Sequence, residues 1–186
     1  MKAHTNNNRF FRMYRTITKI AKRFFTDAQI YKYGFNWSPM YRRSTGRLVT
    51  VSEDLRYVKI KIPLSIKNRN FVGTIFGGSL FSATDPIYMI QLMNILGDNY
   101  VVWDKSATIH FKRPAKETVF TEFIFSEDDI KNIKNEVSKN GEFNLVKTPN
   151  IVDKNNTVIA QLSKTIYVAD KQYYKEKRKR KTKSSS

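Results

Sequence analysis

The sequence predicts an α+β domain: a roughly six-stranded antiparallel sheet wrapped around one long central helix, with an extra helix in front. Three observations carry this expectation. Short β-branched runs with period-two alternation fall on both sides of a single long apolar segment. That segment, Phe76 to Leu96, is apolar almost all round, as a helix buried on most sides must be. It is interrupted by Asp85, Pro86, Gln91 and Asn94, which make it a core helix rather than a membrane span.

The elements follow in order. Phe10, Tyr14, Ile17, Ala21, Phe24 and Phe25 recur at helical spacing and predict a helix from Arg9 to about Ile30, within a basic amphipathic unit over residues 1–34. Three readings of that helix stay open: packing on its own domain or a partner subunit, lying on anionic lipid, or an acid-free targeting peptide. Asn36 to Gly46 reads as a loop. Arg47–Ser52 and Arg56–Pro63 read as strands joined by a Ser-Glu-Asp-Leu turn. A loop carrying Asn70 leads to the central helix, about Gly78 to Gly97. Tyr100–Lys112 and Thr118–Ser126 are strands on either side of the Pro114 turn. Ser126-Glu-Asp-Asp129 opens a short helix ending at Gly141, its acids placed where the helix dipole favours them. Phe143–Val152 and Thr157–Val168 complete the sheet. The main domain is then residues 35–170, and the charged, serine-ended residues 171–186 read as a disordered basic tail.

The net charge of +18 is not spread evenly. Residues 1–26 hold seven Lys/Arg and no acid, and residues 171–186 hold eight Lys/Arg and one Glu. The body between them is only mildly basic, so the chain reads as a globular domain with basic arms. Weak contact of those arms with an anionic membrane or nucleic acid is one expectation. The run Lys175-Glu-Lys-Arg-Lys-Arg-Lys181 would neutralise phosphates but, with only Tyr173 and Tyr174 nearby, would not stack bases. There is no cysteine, which excludes disulfides, thiol catalysis and cysteine–zinc sites. His4 and His110 are the only histidines, so no metal site is expected. The expected localisation is cytoplasmic, with peripheral membrane contact as the alternative.

Chemistry concentrates in Asn70-Phe-Val-Gly-Thr-Ile-Phe-Gly-Gly-Ser-Leu-Phe-Ser-Ala-Thr-Asp85. Gly77 and Gly78 stand at the mouth of the apolar helix, where free N–H groups can polarise a carbonyl. Asp85 follows seven residues after Gly78, two helical turns on and so on the same face. An ionised carboxylate in an apolar helix is costly unless it is paired or used. Pro86 lacks the N–H for the carbonyl of Ser82, so the helix should kink beside that acid. Asn70 could orient a reactant or simply cap its turn. Trp103-Asp-Lys105 lies on the strand after the helix. Alternation sends Trp103 and Lys105 one way and Asp104 the other, where Asp104 is a second site acid or a structural ion-pair partner.

These residues resemble the hotdog fold, specifically the phenylacetate-pathway type of acyl-CoA thioesterase. That family carries an Asn, then His-Gly-Gly, then an acid at the spacing of Asn70, Phe76-Gly77-Gly78 and Asp85. Here Phe76 stands where the family has His. Gly73-Thr-Ile-Phe-Gly-Gly-Ser-Leu80, Asp85-Pro86 and Val102-Trp-Asp-Lys105 are similar to an uncharacterised branch of hotdog proteins, known mainly as a domain of unknown function. The resemblance covers about residues 35–170. It implies a homodimer, or dimer of dimers, joined sheet edge to sheet edge with the thioester at the interface. It assigns Gly78, then Gly77, as the N–H that polarises the thioester carbonyl. Asp85 becomes the base or nucleophile, and Asn70 orients water or thioester. Phe76, Ser79, Trp103 and Lys105 are the candidate substrate-binding residues. No cofactor is implied beyond coenzyme A as part of the substrate. Three functions follow as expectations: hydrolysis of acyl-CoA-type thioesters, acyl-ligand binding without turnover, or an adaptor working through the basic ends.

Overall fold

The computed structural model describes residues 23–183. Most of the expected first helix lies outside them. In its described part the chain turns at residues 23–25 instead of continuing as helix. A new helix, α1 (Asp27–Trp37), starts on a capping box. Thr26 Oγ1 accepts from the Gln29 N–H, and Gln29 Oε1 accepts from the Thr26 N–H. The expected loop over Asn36–Gly46 is mostly helical too. α1 runs through Trp37, and a short α2 (Pro39–Arg43) follows with proline in its first turn, where a missing N–H costs nothing.

The sheet has seven antiparallel strands: β1 (Arg47–Val51), β2 (Tyr57–Ile62), β3 (Tyr100–Phe111), β4 (Val119–Ile124), β5 (Glu142–Lys147), β6 (Asn150–Val152) and β7 (Val158–Asp170). Their order is β1-β2-β4-β6-β7-β3, and β5 pairs β7 beside β6. The strand expected over Phe143–Val152 is therefore two. Pro149 has no N–H for the ladder and separates β5 from β6, while its carbonyl accepts from Leu162.

The central helix is broken where Pro86 predicts, into α3 (Gly77–Thr84) and α4 (Ile87–Leu96). Ala83, Ile87 and Leu92 of these helices pack with Ile60, Ile62, Val119 and Phe123 of the strands in one core. α5 (Glu127–Asn140) carries its own capping box at Ser126 and packs on β5 and β7. Among the described residues no helix is long and apolar enough to cross a membrane.

The tail expected to be disordered continues β7 as a helix, α6 (Lys171–Lys183). Asp170 Oδ1 caps it by accepting from the N–H groups of Gln172 and Tyr173. Tyr173 packs over Gly141, Tyr174 lies near Tyr167, and Lys177 pairs with Glu142. These anchors explain the order that charge density alone did not suggest.

β3 holds the feature that aims the site. Asp104 lies opposite Ile166 and Ser106 opposite Thr165, leaving Lys105 as the extra residue of a bulge. A bulge shifts the alternation by one. Val102 and Asp104 face the core before it, and Ala107 and Ile109 after it.

Candidate active site

The loop before α3 is held by two asparagines. Asn68 is buried: its Oδ1 accepts from the Ser65 N–H at 2.8 Å, and its Nδ2 donates to Pro63 O and Thr45 Oγ1. Its carbonyl accepts from the Phe76 N–H at 2.7 Å, which fixes the point where the helix starts. Asn70 spends its side chain on its own turn. Oδ1 accepts from the N–H groups of Val72 and Thr74, and Nδ2 donates to Thr74 Oγ1. It lines the groove described next, but its geometry is that of a turn cap.

At the start of α3 the N–H groups of Gly77 and Gly78 donate to no acceptor among the described residues, whereas Ser79 and Leu80 both bond Phe76 O. Two aromatic rings crowd these glycines. A Cβ on Gly77 would meet the Phe111 ring at 2.7 Å, and one on Gly78 would meet the Phe76 ring at 2.2 Å. Phe76 itself is 58% exposed. Beside it a groove of about 470 Å³ is lined by Gly77, Leu80, Phe111, Lys112, Arg113 and Pro114. The groove is apolar along its wall and cationic at Lys112 and Arg113.

At the break the helix leaves carbonyls to be satisfied from outside. Tyr41 donates to Ala83 O, in the last turn of α3, at 3.0 Å, and Tyr31 adds a bond to Ile87 O, in the first turn of α4, at 3.2 Å. Burial pushes both tyrosine hydroxyls up, keeping them donors. The carbonyl of Asp85 accepts from Lys164 Nζ. The same ammonium lies 2.9 Å from Asp85 Oδ1 and 2.8 Å from Asp104 Oδ2. Its side chain is only 4% exposed, against 47% for Asp85 and 24% for Asp104. Burial raises the Asp104 carboxyl above its ordinary 3.8, opposed by the bond from Lys164 and assisted by the charge of Asp85. Asp104 Oδ1 is buried without a partner among the described residues.

The sequence-predicted residues thus separate into two places. Gly77, Gly78 and Phe76 form the helix mouth. Asp85 lies about 10 Å further along the axis, because seven residues rise 1.5 Å each. Ser79 is buried in the first turn of α3. Trp103 is exposed on the outer face of β3. Lys105, also exposed, reaches Asn144 Oδ1 at 3.4 Å. Asp104 points the opposite way, as alternation predicted. Sequence reasoning missed Lys164. Its signal was available: in Leu162-Ser-Lys-Thr-Ile-Tyr-Val168 the lysine occupies a position on the buried register of Leu162, Ile166 and Val168.

Residues 28–168 match the family described as a domain of unknown function, DUF4442. No curated protein matches the chain. Solved structures do. A Pseudomonas aeruginosa protein, described as of unknown function and a probable thioesterase, aligns with TM-score 0.62 at 21% identity, over 69% of this chain and 85% of that one. A Haemophilus influenzae thioesterase aligns with TM-score 0.57 at 12% identity, over 77% and 90%. A mutant thioesterase of Staphylococcus aureus aligns with TM-score 0.52 at 12% identity, over 71% and 99%. At these identities the likeness is one of fold. The family match places the chain in the DUF4442 family, and its sheet order and central helix are those of the hotdog fold.

Proposed function

We propose that the protein hydrolyses acyl thioesters of the coenzyme A type. The observation that carries this reading is the pair of N–H groups at Gly77 and Gly78, without acceptors among the described residues, beside an apolar groove with a cationic rim. An acyl chain would take the apolar wall, and Lys112 and Arg113 would meet phosphate. The thioester oxygen accepts from the Gly78 N–H, with Gly77 as second donor, and these bonds strengthen as negative charge grows on that oxygen. Water attacks the carbonyl carbon while Asp85 takes its proton. The intermediate then collapses, the C–S bond breaks, and the thiolate leaves with the proton that Asp85 returns.

Gly78 and Asp85 of one chain lie too far apart to act on one carbonyl, so the acid comes from a second copy. β3, last in the strand order, offers its unpaired edge for that homodimer. A dimer of dimers is the other assembly that suits the fold. The chemistry needs no metal and no cofactor beyond the substrate's own coenzyme A.

A second reading, acyl-ligand binding without turnover, is favoured by two observations. Phe76 covers Gly78 at the position where the phenylacetate-pathway type of thioesterase that the motif resembles has His, and Lys164 ties Asp85 by both carboxylate and carbonyl. Thiol release from short-, medium- and long-chain acyl-CoA substrates, native against Asp85→Asn, decides between them. Turnover abolished in a folded variant supports hydrolysis. Tight equilibrium binding with no turnover of any chain length supports the ligand carrier.

A further inference from the structure

We propose that a second pocket, between α2, the start of β1 and the loop after β2, is a binding site for a phosphate-bearing group. The pocket, of about 570 Å³, brings together Arg42, Arg43, Arg47 and Lys67 with the hydroxyl-bearing Thr45 and Ser65. No acid lines it. Elsewhere cations stand against carboxylates: Lys59 with Glu122, Arg56 with Asp54, Lys154 with Glu117, Lys147 with Asp129. Among the described residues none of the four pocket cations has such a partner.

Helix electrostatics accounts for only part of this. Arg42 and Arg43 lie in the last turn of α2, where the dipole welcomes positive charge. Arg47 and Lys67 come from other elements and gain nothing from it. Four like charges around one concavity repel each other, and a phosphate removes that repulsion. Guanidinium forks match its oxygens two at a time, and Lys67 adds a point charge.

The backbone gives an independent sign. Thr45 sits at φ 66°, a left-handed conformation that a β-branched residue rarely adopts. Glycine is next door at Gly46, yet Gly46 is pinned: a Cβ there would lie 2.8 Å from Tyr41 Oη and 2.9 Å from Ala83 Cβ. Threonine therefore carries the strain, held by Asn68 Nδ2 at 2.7 Å and by its own bond to Ser44 O. The strained residue lies between Arg43 and Arg47 in the pocket wall, where local strain is a pointer to function.

Phosphate of this kind has two sources: a soluble ester, such as the pyrophosphate of coenzyme A, or a phospholipid headgroup. Trp37, 75% exposed, stands two residues before Pro39 at the pocket wall and can report the second. The pocket shares no lining residue with the groove at Gly77, so the two sites stand or fall separately.

The test uses the full chain at near-physiological salt. Inorganic pyrophosphate and coenzyme A are titrated by calorimetry, and phosphatidylcholine vesicles with and without phosphatidylglycerol are used for flotation. Saturable binding is expected, weakened roughly tenfold or more by Arg43→Ala with Lys67→Ala, as loss of charge-assisted bonds predicts. Lys131→Ala with Lys134→Ala removes equal charge from the exposed face of α5 and should leave binding within about twofold. Binding of the soluble ligands alone assigns a free phosphate ester. Capture by phosphatidylglycerol vesicles with a blue shift of Trp37 emission assigns a headgroup. Absence of binding to every probe, or equal loss in both double variants, overturns the proposal.

Discussion

Lys164 grips Asp85 twice, through the carboxylate at 2.9 Å and through the main-chain carbonyl that the broken helix leaves open. One ammonium therefore repairs the break at Pro86 and fixes the orientation of the acid. It also serves Asp104, so two carboxylates share one buried cation.

Removing that cation leaves two partly buried acids facing each other. Lys164→Met should destabilise the fold by about 2–4 kcal/mol, the range for breaking a buried pair, reduced by the exposure of Asp85. Lys164→Arg should not restore it, because a planar fork does not replace a point donor to three oxygens. Denaturant midpoints of Lys164→Met, Asp104→Asn and the double variant check this. The double should lose less than the sum of the singles.

Asp104 gives a pH signature with a definite sign. Its carboxyl is raised by burial, so the folded state holds the proton more tightly than the unfolded chain. Its contribution to stability is present in full below the ordinary 3.8 and is lost as pH rises through the raised value. Asp104→Asn should therefore match the native protein at low pH and gain on it as pH rises. Denaturant curves across the acid range would show this. A variant that instead loses ground would mean that the bond to Lys164 outweighs burial.

Gly78→Ala separates site from stability. The added Cβ collides with the Phe76 ring, but that ring is exposed and can swing away. Alanine also favours the helix by about 1 kcal/mol over glycine. Stability should hold within about 1 kcal/mol, while thioester hydrolysis or acyl binding falls as the ring is driven into the helix mouth. Phe76→Ala in the same chain should recover part of the loss.

Asn68 is the keystone of the loop that presents the helix start. Asn68→Ala removes bonds to Ser65, Pro63 and Thr45 from a buried position. A loss of about 2–4 kcal/mol is expected from buried partners left unsatisfied. Amide exchange should quicken over residues 63–76 before the sheet is affected.

The fold was legible because its signals are local and mutually consistent. Alternation in Tyr57–Ile62 and Val158–Asp170, the apolar run after Gly78 and the break at Pro86 each have a short-range cause. Among the elements misread, α2 and α6 are short or polar. α2 rests on Tyr41 packing in the core, and α6 on Tyr173 meeting Gly141 and Lys177 meeting Glu142. No window of sequence contains such contacts. The helix mouth at Gly77 was readable from its spacing. The triad at Asp85 was half readable, since Lys164 lies 79 residues away in the chain and enters through a strand that otherwise looks purely structural.

The bulge at Lys105 divides β3 into two halves of opposite phase. Before it Asp104 meets Lys164, and beyond it Phe111 meets Gly77. Deleting that one residue would mend the ladder and leave both halves in phase, with Ser106 opposite Thr165 and Ala107 and Ile109 still inward, whereas deleting a residue within either regular half would turn part of the strand over. Substitution on the outer face of this strand is cheap, whereas a change of length by one within either regular half is not. Through descent, the strand should drift freely in its outward letters while each regular half keeps its residue count.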